Sequence, residues 1–384
     1  MRDLIRRIDV ATPPGRDRAV DALRALAIFG VVLGHWLVTA LVSDSGTLHT
    51  TSPLRHMPQL APVSWLFQTL ALFFLVGGQV GAASHASARA RGMGYGRWLG
   101  ARLVQLVRPV AAVLVVWSVA AGAMLASGAS WEAVRTLVKL VYFPLWFLLV
   151  FVALTAATPL TAKLHPLWPL AAVTLVDLVR YGLDGPAWLG WINVVAGWSV
   201  PYCLGAAWAR GSLCGRETGW ALLLGGAAAV LGLVLWAGYP PAMVGVPGAA
   251  VSNLDPPTLA VVTFGLAQCG AALLLLGPLR RVLRRPAAWV AVALVNLSAM
   301  TVFLWHQTAM IAVTAIGMFA SGPLPGLHTV PDDLGWVLAR LAWLPAFALA
   351  LLVCCAAFRI HEQRGSGGVE CDRRPAGGLE VWRA

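Results

Sequence analysis

The feature that most constrains this chain is a recurring apolar stretch of about 20 residues, the length a helix needs to cross a bilayer. Such stretches fall at roughly 22–43, 61–83, 104–126, 139–160, 165–182, 188–209, 219–238, 258–279, 288–319 and 337–358. A backbone in hydrocarbon must satisfy its own hydrogen bonds, so each stretch is expected to be helical. The expected fold is an all-α membrane protein of about ten transmembrane helices.

Composition closes off the alternatives. Of 384 residues, 59% are hydrophobic and 11% charged, yet the net charge is +12. Mean hydropathy is +0.76 and the pI about 10.3. An ordinary soluble domain carries about 25% charged residues, so a soluble globular enzyme is excluded. A basic nucleic-acid binder would spread its charge over a wettable surface. Here short basic patches separate apolar blocks, so the expected partner is the lipid bilayer and no nucleic acid.

The basic patches also orient the chain, because Lys and Arg concentrate on the cytoplasmic side. With the N-terminus inside, the inner segments hold Arg2, Arg6, Arg7, Arg16, Arg18, Arg89, Arg91, Arg97, Arg102, Lys163, Arg210 and Arg216. They also hold Arg280, Arg281, Arg284, Arg285 and the arginines of the C-terminal tail. The outer side holds Arg55, Arg135, Lys139 and Arg180. Both termini are therefore expected in the cytoplasm, in a multi-pass cell (inner or plasma) membrane protein. Residues 1–21 read as a basic cytoplasmic tail, 22–358 as the transmembrane domain, and 359–384 as a disordered cytoplasmic tail. The first apolar run is too long for the core of a cleavable signal, so it reads as a retained signal-anchor. The six cysteines show no metal-ligand spacing and read as apolar fillers. No metal site is expected.

Ionisable residues inside the membrane are functional candidates by default. The first helix reads VDALRALAIFGVVLGHWLVTALV. Asp21 and Arg24 sit at its cytoplasmic end and His35 beyond its midpoint. Arg24 and His35 lie about 16 Å apart along the axis and only about 20° around it. One stripe thus runs from an acid/base pair to an imidazole, and a neutral imidazole is the form a general base needs. The plainer reading is a helix-end salt bridge and an inter-helix histidine. Further on, Gly77 and Gly78 allow close backbone approach, to a neighbouring helix or to a ligand. Arg102 and Arg108 follow in the next basic stretch. They serve topology, or they clamp phosphates as arginine does bidentately. Arg108 lies within the apolar run, just before Pro109.

These residues resemble a known family. DALRALAIFGVVLGHW is similar to the opening helix of the acyltransferase-3 family, in which an Asp, an Arg three residues on and a His eleven further recur. Asp21, Arg24 and His35 stand at those places. LFFLVGG and the basic stretch ending in Arg108-Pro109 resemble its second motif, FPLWFLLVFVALTAATPL its fourth-helix segment, with Trp146 and Pro159, and NLSAMTVFLWHQTAM its late segment, with Ser298 and His306. The chain departs from the family at Val76-Gly77-Gly78, where many members have Ser-Gly. It departs again at Gln105, where many place a second Arg, and at Trp305, where a smaller residue is usual.

The resemblance implies transfer of an acyl group, commonly acetyl, from cytoplasmic acyl-CoA to a hydroxyl of a carbohydrate or other envelope or secreted acceptor. Acyl-CoA would be a co-substrate, with no bound cofactor. Arg24, Arg102 and Arg108 would hold the CoA phosphates. His35, with Asp21 and His306, would form the catalytic set, with His35 as base or acyl relay. His306 would orient the acceptor or support His35. A proton-coupled carrier could use the same stripe. No inverted halves with broken helices are visible in the sequence, which speaks against transport. Asp177 and Arg180, three apart on one helix face, are expected to form a local ion pair.

Overall fold

The computed structural model describes residues 2–363 except Pro14, Ser45, Gly46 and Cys214. The helices are α1 (Arg2–Ala11), α2 (Arg18–Val38), α3 (Pro53–His56), α4 (Leu70–Ala90) and α5 (Tyr95–Ala126). There follow α6 (Trp131–Tyr142), α7 (Leu145–Ala156), α8 (Thr158–Thr161), α9 (Leu167–Asp177) and α10 (Gly190–Ala209). The last five are α11 (Arg216–Trp236), α12 (Leu259–Val282), α13 (Pro286–Leu297), α14 (Ala299–Gly317) and α15 (Leu334–Gln363).

Among the described residues, 8 helical stretches are long and apolar enough to cross a membrane. The segments expected as the fifth and sixth spans are helical but are not among the eight. One is α9 followed by a π turn, Leu178–Gly182; the other is α10. Asn193, Ser199 and Pro201 interrupt the apolar character of α10, and all three are buried. A helix surrounded by protein can carry polar groups that a lipid-facing helix cannot.

Three expected spans are interrupted. The second begins as a 3-10 segment, Pro58–Leu66, and becomes α4 only after Phe67–Thr69. The fourth bends at Phe143–Pro144, between α6 and α7. The ninth breaks at Ser298, between α13 and α14. His306 is therefore the eighth residue of α14 rather than deep in one long helix.

The first span is shorter than expected. It ends at Val38, and Ala40–Asp44 and Thr47–Thr51 pair as an antiparallel hairpin, β1 and β2. The segment VTALVSDSGTLHTT is rich in β-branched residues, and its Ser, Asp and Gly are turn-forming residue types, a composition that favours a hairpin over a helix. It is the one named sheet among the described residues of a chain expected to be all-α.

The N-terminal segment is also ordered. Ile5 and Ile8 of α1 pack on Trp289, Val290 and Ala293 of α13. Arg18 bonds Asp9 at 2.8 Å and lies over the Trp289 ring. Asp17 caps α2 through the backbone N–H of Ala19 and pairs with Arg280. The C-terminal helix runs to Gln363, past the expected end at 358. The rest of the expected disordered tail lies outside the described residues.

Close backbone contact fixes the interior. A β-carbon on Gly78 of α4 would collide with the carbonyl oxygen of Tyr202, and one on Gly205 of α10 with that of Leu75. The two glycines thus let α4 and α10 cross with their backbones touching. Gly77 faces the Phe151 ring, and Gly226 and Gly270 play the corresponding part between α11 and α12. Small residues drive helix association in membranes in this way.

Replacing Gly78 by Ala should separate α4 from α10. Overpacking of this kind costs about 1–3 kcal/mol. Thermal melting of the detergent-solubilised protein should show a lowered Tm for Gly78→Ala. Gly225→Ala, where a β-carbon meets open space, should leave Tm unchanged or higher.

Candidate functional site

The site is built along α2. Its N-terminus is held by the Asp17 cap, and its middle docks on the break that precedes α4. There the Thr69 hydroxyl donates to the Ala27 carbonyl at 2.7 Å, Gly30 faces the Thr69 side chain and Gly34 faces Phe67. Thr39 N–H closes the last turn on the carbonyl of His35. His35 thus stands at the far end of α2 from Arg24, in its last turn and next to the β1–β2 hairpin.

At the near end the expected Asp21–Arg24 pair is not what forms. The buried Asp21 carboxylate receives both Nε and Nη2 of Arg16, at 2.7 and 3.0 Å. Arg16 lies just before the helix and folds back over its first turn. Its planar fork meets both carboxylate oxygens at once, the favoured bidentate geometry. Arg24 interacts electrostatically with Asp21, Arg16 and Arg102, and Arg102 also with Tyr202 of α10. Three guanidinium groups thus gather at this end with one carboxylate, bonded to Arg16 and near Arg24, and leave an excess of positive charge. Arg108 is not among them. Six residues after Arg102, it is turned about 120° around α5 and is exposed.

At the far end two imidazoles meet. The His35 and His306 rings lie 5.0 Å apart, tilted by 43°. His306 is buried, and its Nδ1 donates to the Phe303 carbonyl at 2.6 Å. His35 Nδ1 lies 3.0 Å from Nε2 of Gln307. The nitrogen His306 Nε2 and the oxygen Gln307 Oε1 are buried without a hydrogen-bond partner.

Between the two ends runs a column of aromatic rings. Tyr202 touches Phe151 at 6.5 Å between centroids, Phe151 touches Phe147 at 6.4 Å, Phe147 touches Phe303 at 5.4 Å, and Phe303 touches His306 at 6.1 Å. Phe74 of the LFFLVGG motif stacks on Trp198 at 5.1 Å. Trp146 lies 6.4 Å from Trp198.

Sequence reasoning missed the group that anchors this end. Arg340 of α15 is 1% exposed. It donates from Nε to the Trp36 carbonyl at 2.6 Å, from Nη1 to Gly326 at 2.7 Å and from Nη2 to Thr39 at 2.7 Å. Its guanidinium also lies over Phe347 at 4.7 Å and Trp336 at 5.5 Å. Trp336 is accordingly buried. The Trp36 indole in turn donates to the carbonyl of His306 at 2.9 Å. One arginine thus ties α15 to the end of α2, and the next residue ties α2 to α14. The available signal was an arginine placed inside an apolar run, as at Arg24.

Asp177 and Arg180 interact electrostatically, as expected, but do not form a close ion pair. Asp177 instead accepts from Asn193 at 2.9 Å, Tyr239 at 3.0 Å and the backbone N–H of Leu259 at 2.6 Å. Leu259 opens α12, so the carboxylate caps that helix at its positive end. The π turn carries Arg180 onto the face of Tyr181, with Gly190 against its guanidinium. His328 is buried between Thr314 and Leu324 and is structural. Cys203, Cys269 and Cys354 are free thiols; Cys214 and Cys371 lie outside the described residues. Among the described residues no cluster of His, Cys, Asp or Glu could hold a metal ion.

A polytopic helical fold with an arginine cluster at one end of α2 and, at the other, His35 against His306 of α14 defines a class of multi-pass membrane proteins with polar groups inside the bundle. The chain belongs to the acyltransferase-3 family: the model of that acyltransferase domain matches residues 17–359. The match takes in α2 through most of α15, and so both ends of the site. No curated protein matches the chain, and no solved structure does.

Arg340→Met should release three buried carbonyls, each costing about 1–3 kcal/mol when left unpaired. The expected result is a large fall in Tm and in folded yield from detergent. Arg340→Lys should recover only part of it, because one ammonium cannot span the fork of acceptors that a guanidinium reaches.

Proposed function

We propose that the protein is an O-acyltransferase of the cell membrane. It takes an acyl group, acetyl in the simplest case, from cytoplasmic acyl-CoA and passes it to a hydroxyl of a carbohydrate or other envelope or secreted acceptor. The observation that carries this reading is the arrangement on α2. Arg24, within an arginine cluster with excess positive charge, and His35, which meets His306 of α14, stand on this one helix, about 16 Å apart along its axis.

The chemistry suits the two halves of acyl-CoA. Phosphates are bound by guanidinium groups with matching forks, and Arg24 and Arg102 supply these beside Arg16. The arm linking the phosphates to the thioester is long and thin, with apolar and amide segments. The largely buried aromatic column from Tyr202 to His306 joins the two ends of the site, and the arm would have to part these rings to follow it. The thioester then reaches the imidazole pair. An acceptor arriving from the outer face meets it there, because His35 sits in the last turn of α2 next to the hairpin.

In the transfer step the acceptor oxygen attacks the thioester carbonyl carbon. One imidazole takes the hydroxyl proton as the new C–O bond forms. The C–S bond then breaks, its electron pair stays on sulfur, and the same imidazole returns the proton to the leaving thiolate. The products are the ester and CoA thiol. General-base assistance of this kind is worth about 10²–10⁴-fold.

The direct test uses purified protein, labelled acetyl-CoA and candidate hydroxyl acceptors. Transfer, or slow hydrolysis when acceptor is absent, is expected from wild type. His35→Ala and His306→Ala should each lower kcat by about 10²-fold or more while leaving acyl-CoA binding largely intact. Arg24→Ala and Arg102→Ala should raise KM for acyl-CoA first. Arg108→Ala should leave KM nearly unchanged, since that side chain stands away from the cluster. Wild-type protein that neither transfers nor hydrolyses the acyl group would overturn the reading.

A further inference from the structure

The hydrogen bonds of the two histidines differ in a way that bears on their roles. His306 Nδ1 meets a backbone carbonyl, that of Phe303, at 2.6 Å. A carbonyl oxygen can only accept, so Nδ1 carries the proton and a neutral ring keeps its lone pair at Nε2. That lone pair is buried and has no partner, so it awaits a donor. His35 Nδ1 meets the carboxamide nitrogen of Gln307 at 3.0 Å. An amide NH₂ can only donate, so here Nδ1 holds the lone pair and Nε2 carries the proton.

The pair is therefore divided into one acceptor and one donor. With the Gln307 amide reversed, its oxygen would take Nδ1–H of His35 and leave the lone pair on Nε2. Two adjoining imidazoles would then each present a lone pair, with no N–H on either for an oxygen or a sulfur. In the orientation seen in the structure one N–H, at His35 Nε2, remains on the pair.

We propose that Gln307 is a positioning residue that sets the tautomer of His35, making His35 the N–H donor of the site and leaving His306 Nε2 as the proton acceptor. The proposal rests on the acyl-transfer reading above and refines it. In the reaction, His306 Nε2 takes the acceptor's hydroxyl proton as the C–O bond forms. His35 Nε2–H donates to the carbonyl oxygen as charge builds on it. When the C–S bond breaks, the pair goes to sulfur and His306 returns the proton to it. His35 and Gln307 end the cycle as they began it. Donors aimed at a developing oxyanion are worth about 10²–10³-fold in kcat.

The test is nitrogen-15 NMR of histidine-labelled full-length protein in detergent. His35 and His306 are assigned by the loss of their signals in His35→Ala and His306→Ala. The expected spectrum shows the unprotonated nitrogen at Nδ1 in His35 and at Nε2 in His306. Gln307→Met keeps the side-chain length and removes the amide. It should broaden or mix the His35 tautomer and lower kcat by about 10²-fold, with KM for acyl-CoA unchanged. A packing role alone would move neither the tautomer nor kcat in this variant. Wild-type His35 protonated at Nδ1, or Gln307→Met with unchanged tautomer and kcat, would overturn the proposal. If Gln307→Met does not fold, the wild-type spectrum still decides. Absence of acyl transfer in wild type would count against the functional reading alone, because the tautomers are read without turnover.

Discussion

The arrangement of the bundle around the site depends on one buried guanidinium. A helix ends with four carbonyls that have no intrahelical partner, and in an apolar surround each must be met or the end is costly. The end of α2 meets this demand through Arg340, which spans the carbonyls of Trp36 and Thr39 and reaches Gly326 as well. The helix's negative end favours the cation, and the rings of Phe347 and Trp336 take its faces. Because His35 precedes Trp36 by one residue, the anchor also sets where that imidazole stands. The Trp36 indole extends it to the backbone of His306.

The opposite end of α2 follows the same logic with different partners. The Asp21 carboxylate is committed to Arg16, and its backbone carbonyl takes the Asn296 side chain at 2.8 Å. Arg24 is left to Arg102 across the bundle, a juxtaposition of like charges that suits an anion. Backbone-to-backbone contact at Gly78 and Gly205 holds α4 on α10, and with it Tyr202 and the aromatic column. Breaks at Phe67–Thr69 and Ser298 would be faults in a simple span. Here one lets Thr69 cap the Ala27 carbonyl, and the other starts α14 afresh eight residues from His306.

Much of the fold was legible because its signal is local. Apolar length marked the spans, and the eleven-residue step from Arg24 to His35 gave one helical stripe. The places of departure have local explanations too, recognisable in hindsight. VTALVSDSGTLHTT carries strand and turn chemistry, and Ser298 and Pro144 stand where long apolar runs break. The asparagine, serine and proline of α10 mark a helix enclosed by protein. Arg108 lies in an apolar run as Arg24 does, yet it is exposed and turned away from the Arg24–Arg102 pair, a difference that position in the sequence does not show. Asp177 and Arg180 keep their electrostatic interaction, but a π turn at Leu178–Gly182 alters the three-residue register and the carboxylate's hydrogen bonds go elsewhere.

By itself, then, the sequence determined that this is a helical membrane protein of the acyltransferase-3 family and that Arg24 and His35 share a stripe. These follow from hydrophobic length, helical period and motif order, all readable along one segment. Only the tertiary structure decided which polar groups meet: Asp21 with Arg16, Arg24 with Arg102, His35 with His306 and Gln307, and Arg340 with the end of α2. Most of these partners are tens to hundreds of residues apart. A buried polar group must find a partner, but which one it finds is set by how distant helices pack, and no local periodicity carries that information.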